Sequence, residues 1–162
     1  MWRNTSGRME TIMIRFDRFT KDAQEVAQRA AGIMQRYSHN QIDTEHLLLA
    51  LMEQPRGMVS QLLTFLKVDA NALSERLDTI LRTGPQGEIV EVGPGQVSIT
   101  PRLVRIIDLA LEESNRLKDE LISTKHIFMA IFSEHDTPVA RLLEGTGLTR
   151  DRVYNAIQQM RG

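Results

Sequence analysis

Apolar residues recur along this chain at three- and four-residue intervals, in separate blocks, and not in alternation. The first block runs Ala23, Val26, Ala27, Ala30, Ala31, Met34 and Tyr37, the spacing of a single helical face, with Thr20 placed to cap its start. A matching block follows Thr100, with Pro101 in the first turn and then Leu103, Ile106, Ile107, Ala110, Leu111 and Leu117. Second helices open at Asp43 or Thr44 and at Ser123 or Thr124; both are apolar almost all round, the mark of a buried helix. Gly57 and Pro138 precede short third helices that end near Leu66 and Glu144. Asp69 and Thr149 cap the last helices, which run to about Arg82 and Arg161. The pattern predicts eight helices and no strand.

The blocks match because the chain repeats itself. A shift of 80 positions aligns Thr20/Thr100, Ala30/Ala110, Arg36/Arg116, Ile42/Ile122, Thr44/Thr124, His46/His126, Ala50/Ala130, Val59/Val139, Leu62/Leu142 and Leu63/Leu143 without a gap. Similar apolar pairs such as Val26/Ile106, Leu47/Ile127 and Leu77/Ile157 fall between them. An internal duplication follows. The fold class is therefore all-α: a pseudo-twofold bundle of two four-helix repeats over residues 16–82 and 99–162, after an amino-terminal extension over 1–15. Residues 83–98, rich in glycine and proline, read as a linker whose centre from Glu88 to Val92 alternates enough to be extended.

Composition narrows the function classes. The chain has 162 residues, 41% hydrophobic and 25% charged, enough for one domain built from two halves. A net charge of -1 gives no general attraction to nucleic acid or to an anionic membrane. No apolar run approaches the roughly 20 residues that span a bilayer, and the first fifteen residues lack the apolar core of a secretory signal. With no cysteine there is no disulfide, thiolate nucleophile or zinc ribbon. A cytoplasmic location is expected, and Met9 and Met13 leave the start of the ordered part open.

Catalytic groupings are missing. The glycine-rich segments contain no G-x-x-x-x-G-K-[ST] phosphate loop, and no G-x-S-x-G elbow accompanies the serines. His39, His46, His126 and His135 form no H-E-x-x-H pair, so no metal or other cofactor is expected. His46 and His126, at equivalent helix starts, read as structural histidines bonded to a cap or loop. The chain is not expected to be an enzyme.

One difference between the copies stands out. Ile42 to Leu51 reads IDTEHLLLAL, whereas Ile122 to Ile131 reads ISTKHIFMAI. Glu45 in a first helical turn gains about 0.3–1 kcal/mol from the helix dipole, and Lys125 forgoes it. Two readings are open: a solvated first-turn side chain in both copies, or a pair of related surfaces on which one offers a carboxylate to a cationic group and the other has reversed that preference.

The segments Phe16-Asp17-Arg18-Phe19-Thr20 and His39 to Leu48 (HNQIDTEHLL), together with the duplication, resemble the amino-terminal Clp repeat domain of the AAA+ unfoldases and disaggregases, the ClpA, ClpB and ClpC group. The resemblance covers Phe16 to Gly162 and does not choose between the ClpC and ClpB branches. It implies a non-catalytic, monomeric recruitment domain that engages adaptor proteins and unfolded or marked substrates for the ATPase domains of a parent protein. A free-standing adaptor or inhibitor without such ATPase domains is the alternative. In the ClpC branch the resemblance implies that Glu45, with Thr20 and Thr44, contributes to recognising phosphorylated arginine. Thr100, Thr124 and Lys125 then form a degenerate second site. In the ClpB branch it implies an apolar groove between the repeats, to which Met52, Met58 and Met129 are suited.

Overall fold

A computed structural model describes residues 2–4, 17–83 and 97–161. Residues 5–15 of the amino-terminal extension, Phe16 and most of the linker, including Glu88 to Val92, lie outside the described residues.

Eight helices are described: α1 (Lys21–Arg36), α2 (Thr44–Glu53), α3 (Met58–Phe65), α4 (Ala70–Thr83), α5 (Pro101–Arg116), α6 (Thr124–Ile131), α7 (Pro138–Glu144) and α8 (Arg150–Arg161). Their starts follow from local chemistry. The Thr20 and Thr100 hydroxyls accept from the amides of Ala23 and Leu103, each at 3.2 Å. Asp69 and Thr149 do the same for Ala72 and Arg152. Gly57 caps α3, while Thr137 caps α7 and puts Pro138 at its first position, where a missing N–H does no harm.

Helices α2 and α6 form the centre. Leu48, Ala50 and Leu51 of one, and Phe128, Met129, Ala130 and Ile131 of the other, are wholly buried. Each such leucine, isoleucine or phenylalanine contributes about 1.5–3 kcal/mol. Met129 is thus core, not groove. Asp43 and Ser123 are the N-caps, and Thr44 and Thr124 are the first helical residues, both buried. His46 and His126 close the caps from the third position: their Nδ1 atoms accept the amides of Asp43 and Ser123 at 2.8 Å. An imidazole lone pair here takes the place of the glutamate oxygen of an ordinary capping box.

Three short strands correct the expectation of none. β1 (Trp2–Asn4), β2 (Gln41–Ile42) and β3 (Val97–Ile99) form a parallel sheet in the order β1-β3-β2. Two or three residues are too few to display alternation, and their partners lie far away in sequence. Ile42 pairs with Ile99, and a matching bridge joins Phe19 to Ile122. Ile99 is the repeat mate of Phe19, and Ile122 that of Ile42, so the two bridges are related by the pseudo-twofold. The repeats therefore interlock: the Thr20 amide donates to Ile122 O at 2.9 Å and the Thr100 amide to Ile42 O at 3.1 Å. Farther along, α3 packs against α6 and α8, and α4 against α7, so that one core runs through both repeats.

Candidate functional site

The two bridges set where the candidate residues meet, and they cross the repeats. Thr100, at the start of α5, stands beside Asp43, Thr44 and Glu45 at the start of α2, and its hydroxyl donates to Asp43 Oδ1 at 2.9 Å. Thr20 lies at the other junction, against Ile122 and the start of α6 that carries Thr124 and Lys125. The grouping of Thr20 with Glu45 and of Thr100 with Lys125, expected from the repeats taken singly, is thus exchanged. A backbone pairing between repeats, not proximity in sequence, decides it.

At the first junction Arg102, two residues past Thr100, reaches across to the acids. Its Nε donates to Asp43 Oδ1 and its Nη2 to Asp43 Oδ2, both at 2.6 Å, and Nη2 lies 3.3 Å from each Glu45 oxygen. The Thr44 hydroxyl and amide donate to Glu45 Oε1 and Asp43 Oδ1, each at 2.7 Å. Burial, the largest single influence, pushes the Asp43 carboxyl up, but the bond and charge of Arg102 together with the Thr44 and Thr100 bonds outweigh it and hold the group below the usual carboxylate range. Glu45 goes the other way, raised first by burial and then by the neighbouring Asp43 charge. Two carboxylates share one guanidinium, which leaves an excess of acidic groups at a largely covered junction.

The reading of Glu45 and Lys125 as solvated first-turn side chains does not survive this geometry, since they are only 12% and 10% exposed. Lys125 Nζ sits 3.4 Å from Asp119 Oδ2, which also takes the His126 Nε2 proton at 2.8 Å. Burial pushes the Asp119 carboxyl up, but His126 and Lys125 more than offset it and leave it below its ordinary value. The Arg18 guanidinium, exposed at the rim, donates to the Glu120 carbonyl at 3.1 Å. In the first repeat, His39 stands where Asp119 does, and His46 Nε2 donates to His39 Nδ1 at 2.8 Å. Because His46 Nδ1 is already an acceptor, this tautomer is fixed. Burial, then His39, push the His46 pKa down to about 4, and burial likewise lowers His126.

The charge is reversed on both sides of the pseudo-twofold. Arg102 faces Glu45 in the first junction; its repeat mate is Asp22, and the mate of Glu45 is Lys125. Arg102 was not singled out in the sequence. The available signal was the same 80-residue shift, which sets Arg102 against Asp22 as it sets Lys125 against Glu45. No group of three or more histidines and acids able to hold a metal occurs among the described residues, and none of their helices is long and apolar enough to cross a membrane.

The Clp repeat (R) N-terminal domain model matches residues 18–146. Chaperone protein ClpB of Nitratidesulfovibrio vulgaris is 31% identical over 146 residues, which is 90% of this chain and 17% of that protein. The negative regulator of genetic competence ClpC/MecB of Bacillus subtilis is 26% identical over 147 residues, 91% of this chain and again 17% of the relative. The chain thus spans about a sixth of the length of these relatives. Among solved structures, a ClpV N-domain in complex with a VipB peptide has the same fold, with a TM-score of 0.67 and 18% identity over 86% of this chain and 84% of that one.

Proposed function

The chain belongs to the Clp repeat N-terminal domain family, and on that premise we propose that it is a non-catalytic recruitment module, presenting adaptor proteins or exposed client segments to the ATPase domains of a Clp-type machine. The similar ClpV N-domain solved with a VipB peptide supports this reading.

The observation that carries the choice of site is the shared guanidinium of the first junction. A phosphorylated arginine brings both a cation and an anion. Its guanidinium would pair with the Glu45 carboxylate, for which Arg102 is a distant partner at 3.3 Å. Its phosphate would meet Arg102 and the amino terminus of α5 beyond Thr100. Lys125 would repel the same guanidinium, so one site per chain is expected. Thr44 orients Glu45 through its hydroxyl; Thr20 belongs to the second junction and plays no part in this site. The domain acts without a cofactor, in the cytoplasm, and as a monomer.

The test is a titration of the isotope-labelled chain with phosphoarginine, followed residue by residue in NMR spectra. Shifts concentrated at Asp43, Thr44, Glu45, Thr100 and Arg102, and absent from Ser123 to His126, are the expected result. Changes centred on Lys125, or none at saturating ligand, would remove phosphoarginine from the reading.

A further inference from the structure

Away from both junctions, the turn between α3 and α4 meets its twofold mate, the turn between α7 and α8, around an open cleft of about 300 Å³. Lys67, Arg76 and Arg152 line it, against a single acid, Asp69, whose carboxylate is already used to cap α4 through the Ala72 amide at 3.0 Å. Several exposed arginines elsewhere are matched with acids, Arg29 with Glu25, Arg36 with Glu53, Arg82 with Asp78 and Arg105 with Glu134, whereas Arg18 and Arg141 bond backbone carbonyls; the cleft differs in gathering three cations on one surface. Among the described residues the Lys67 ammonium and the Arg76 guanidinium have no side-chain hydrogen bond or ion pair. Arg152 donates from Nη1 to the Gly147 carbonyl of its own turn at 2.6 Å and has no acid partner among the described residues. Helices α4 and α8 also start here and add their partial positive charge.

Lys67 carries a second signal. Its backbone is left-handed at φ 58°, and its repeat mate is Gly147 at φ 87°. The turn needs a conformation that glycine adopts freely, and a lysine holds it in the first repeat only. Leu66 and Val68 give the cleft an apolar wall, and Phe65 beside them is 46% exposed.

We propose that this cleft binds an acidic peptide segment, a carboxylate side chain followed by an apolar one, and that it is a second recruitment point independent of the Glu45 junction. Three cations against one carboxylate leave an excess of positive charge that is complementary to an acidic side chain, and the apolar wall suits an apolar one. A polyanion such as a nucleic acid needs a longer basic track than three side chains in a chain of net charge -1.

The test uses two labelled peptides, one alternating glutamate with leucine and one alternating lysine with leucine, and reads fluorescence anisotropy with the intact chain. The acidic peptide is expected to bind saturably and the basic one not. Lys67→Gly supplies the residue the second repeat already uses, so it relaxes the turn while removing the charge. It and Arg76→Gln should each weaken acidic-peptide binding about two- to five-fold, with any phosphoarginine response at Asp43 to Glu45 unchanged. Equal binding of the two peptides, or undiminished binding by the Lys67→Gly/Arg76→Gln double variant, would overturn the proposal.

Discussion

Replacing Arg102 by methionine keeps the aliphatic stem and removes the guanidinium, and the structure sets the size of the effect. The change deletes two 2.6 Å charge-assisted bonds to Asp43 and the attraction to Glu45, leaving two acids side by side. Removing one partner of a buried ion pair costs about 3–5 kcal/mol. Arg102 is 31% exposed and Asp43 keeps the bond from Thr100, so a loss of about 2–3 kcal/mol is the reasoned value. For a domain of this size that lowers the melting temperature by roughly 4–12 °C. The pH dependence identifies the cause. A carboxyl held below its ordinary value, as Asp43 is, stabilises the fold above its unfolded pKa, and that contribution is lost as pH falls through the folded value. The variant lacks the contribution at every pH. The gap between wild type and Arg102→Met, followed by circular dichroism on heating, should therefore be widest at neutral pH and should narrow steadily in acid. Adding Glu45→Gln should recover part of the loss by removing the like charge. An equal gap at neutral and acid pH would refute the electrostatic account, and no gap at all would refute the geometry.

Three further outcomes follow from the same structure. Glu45→Gln alone should leave stability unchanged or raise it by up to about 1 kcal/mol at neutral pH, because burial and Asp43 already disfavour the charge; chemical unfolding checks this. His46, lowered to about 4, stabilises the fold above its ordinary pKa near 6.5 and ceases to as pH falls through that window. Wild type should lose on the order of 3 kcal/mol there from this group, partly offset by Glu45, and His46→Gln, which can still close the cap, should flatten the slope measured by urea denaturation. Glu113, 3% exposed and bridged to Arg150 at 2.6 Å, has Ile33 as its repeat mate, and Arg150 has Ala70. Because Arg150 and the second partner of Glu113, Arg116, are partly exposed, Glu113→Ala should cost about 2–3 kcal/mol, whereas Glu113→Ile with Arg150→Ala should return to within about 1 kcal/mol of wild type in thermal unfolding.

The features legible in the sequence were those set by nearby residues. The caps at Thr20, Asp69, Thr100 and Thr149 act three residues downstream, and the helical faces are periodic within one segment, so pattern alone located all eight helices. The 80-residue shift also identified Glu45 and Lys125 as partners in a reversal. Hidden features all depend on distance along the chain. Asp43 and Arg102 are 59 residues apart, and nothing local distinguishes Arg102 from a solvated first-turn arginine. The strands are too short to alternate, yet they alone decide that Thr100, not Thr20, belongs beside Glu45. Glu113 interrupts an apolar face and reads as surface until Arg150 is brought to it from 37 positions away.

That the interlocked duplication leaves one phosphoarginine site, at the Glu45 junction, is tested most directly by calorimetric titration of the chain with phosphoarginine, beside an unfolded protein without that mark. The account predicts saturable binding near one site per chain for wild type, abolished by Glu45→Gln and unaffected by Lys125→Ala. Two equivalent sites, binding indifferent to Glu45, or a response only to the unmarked protein would contradict it.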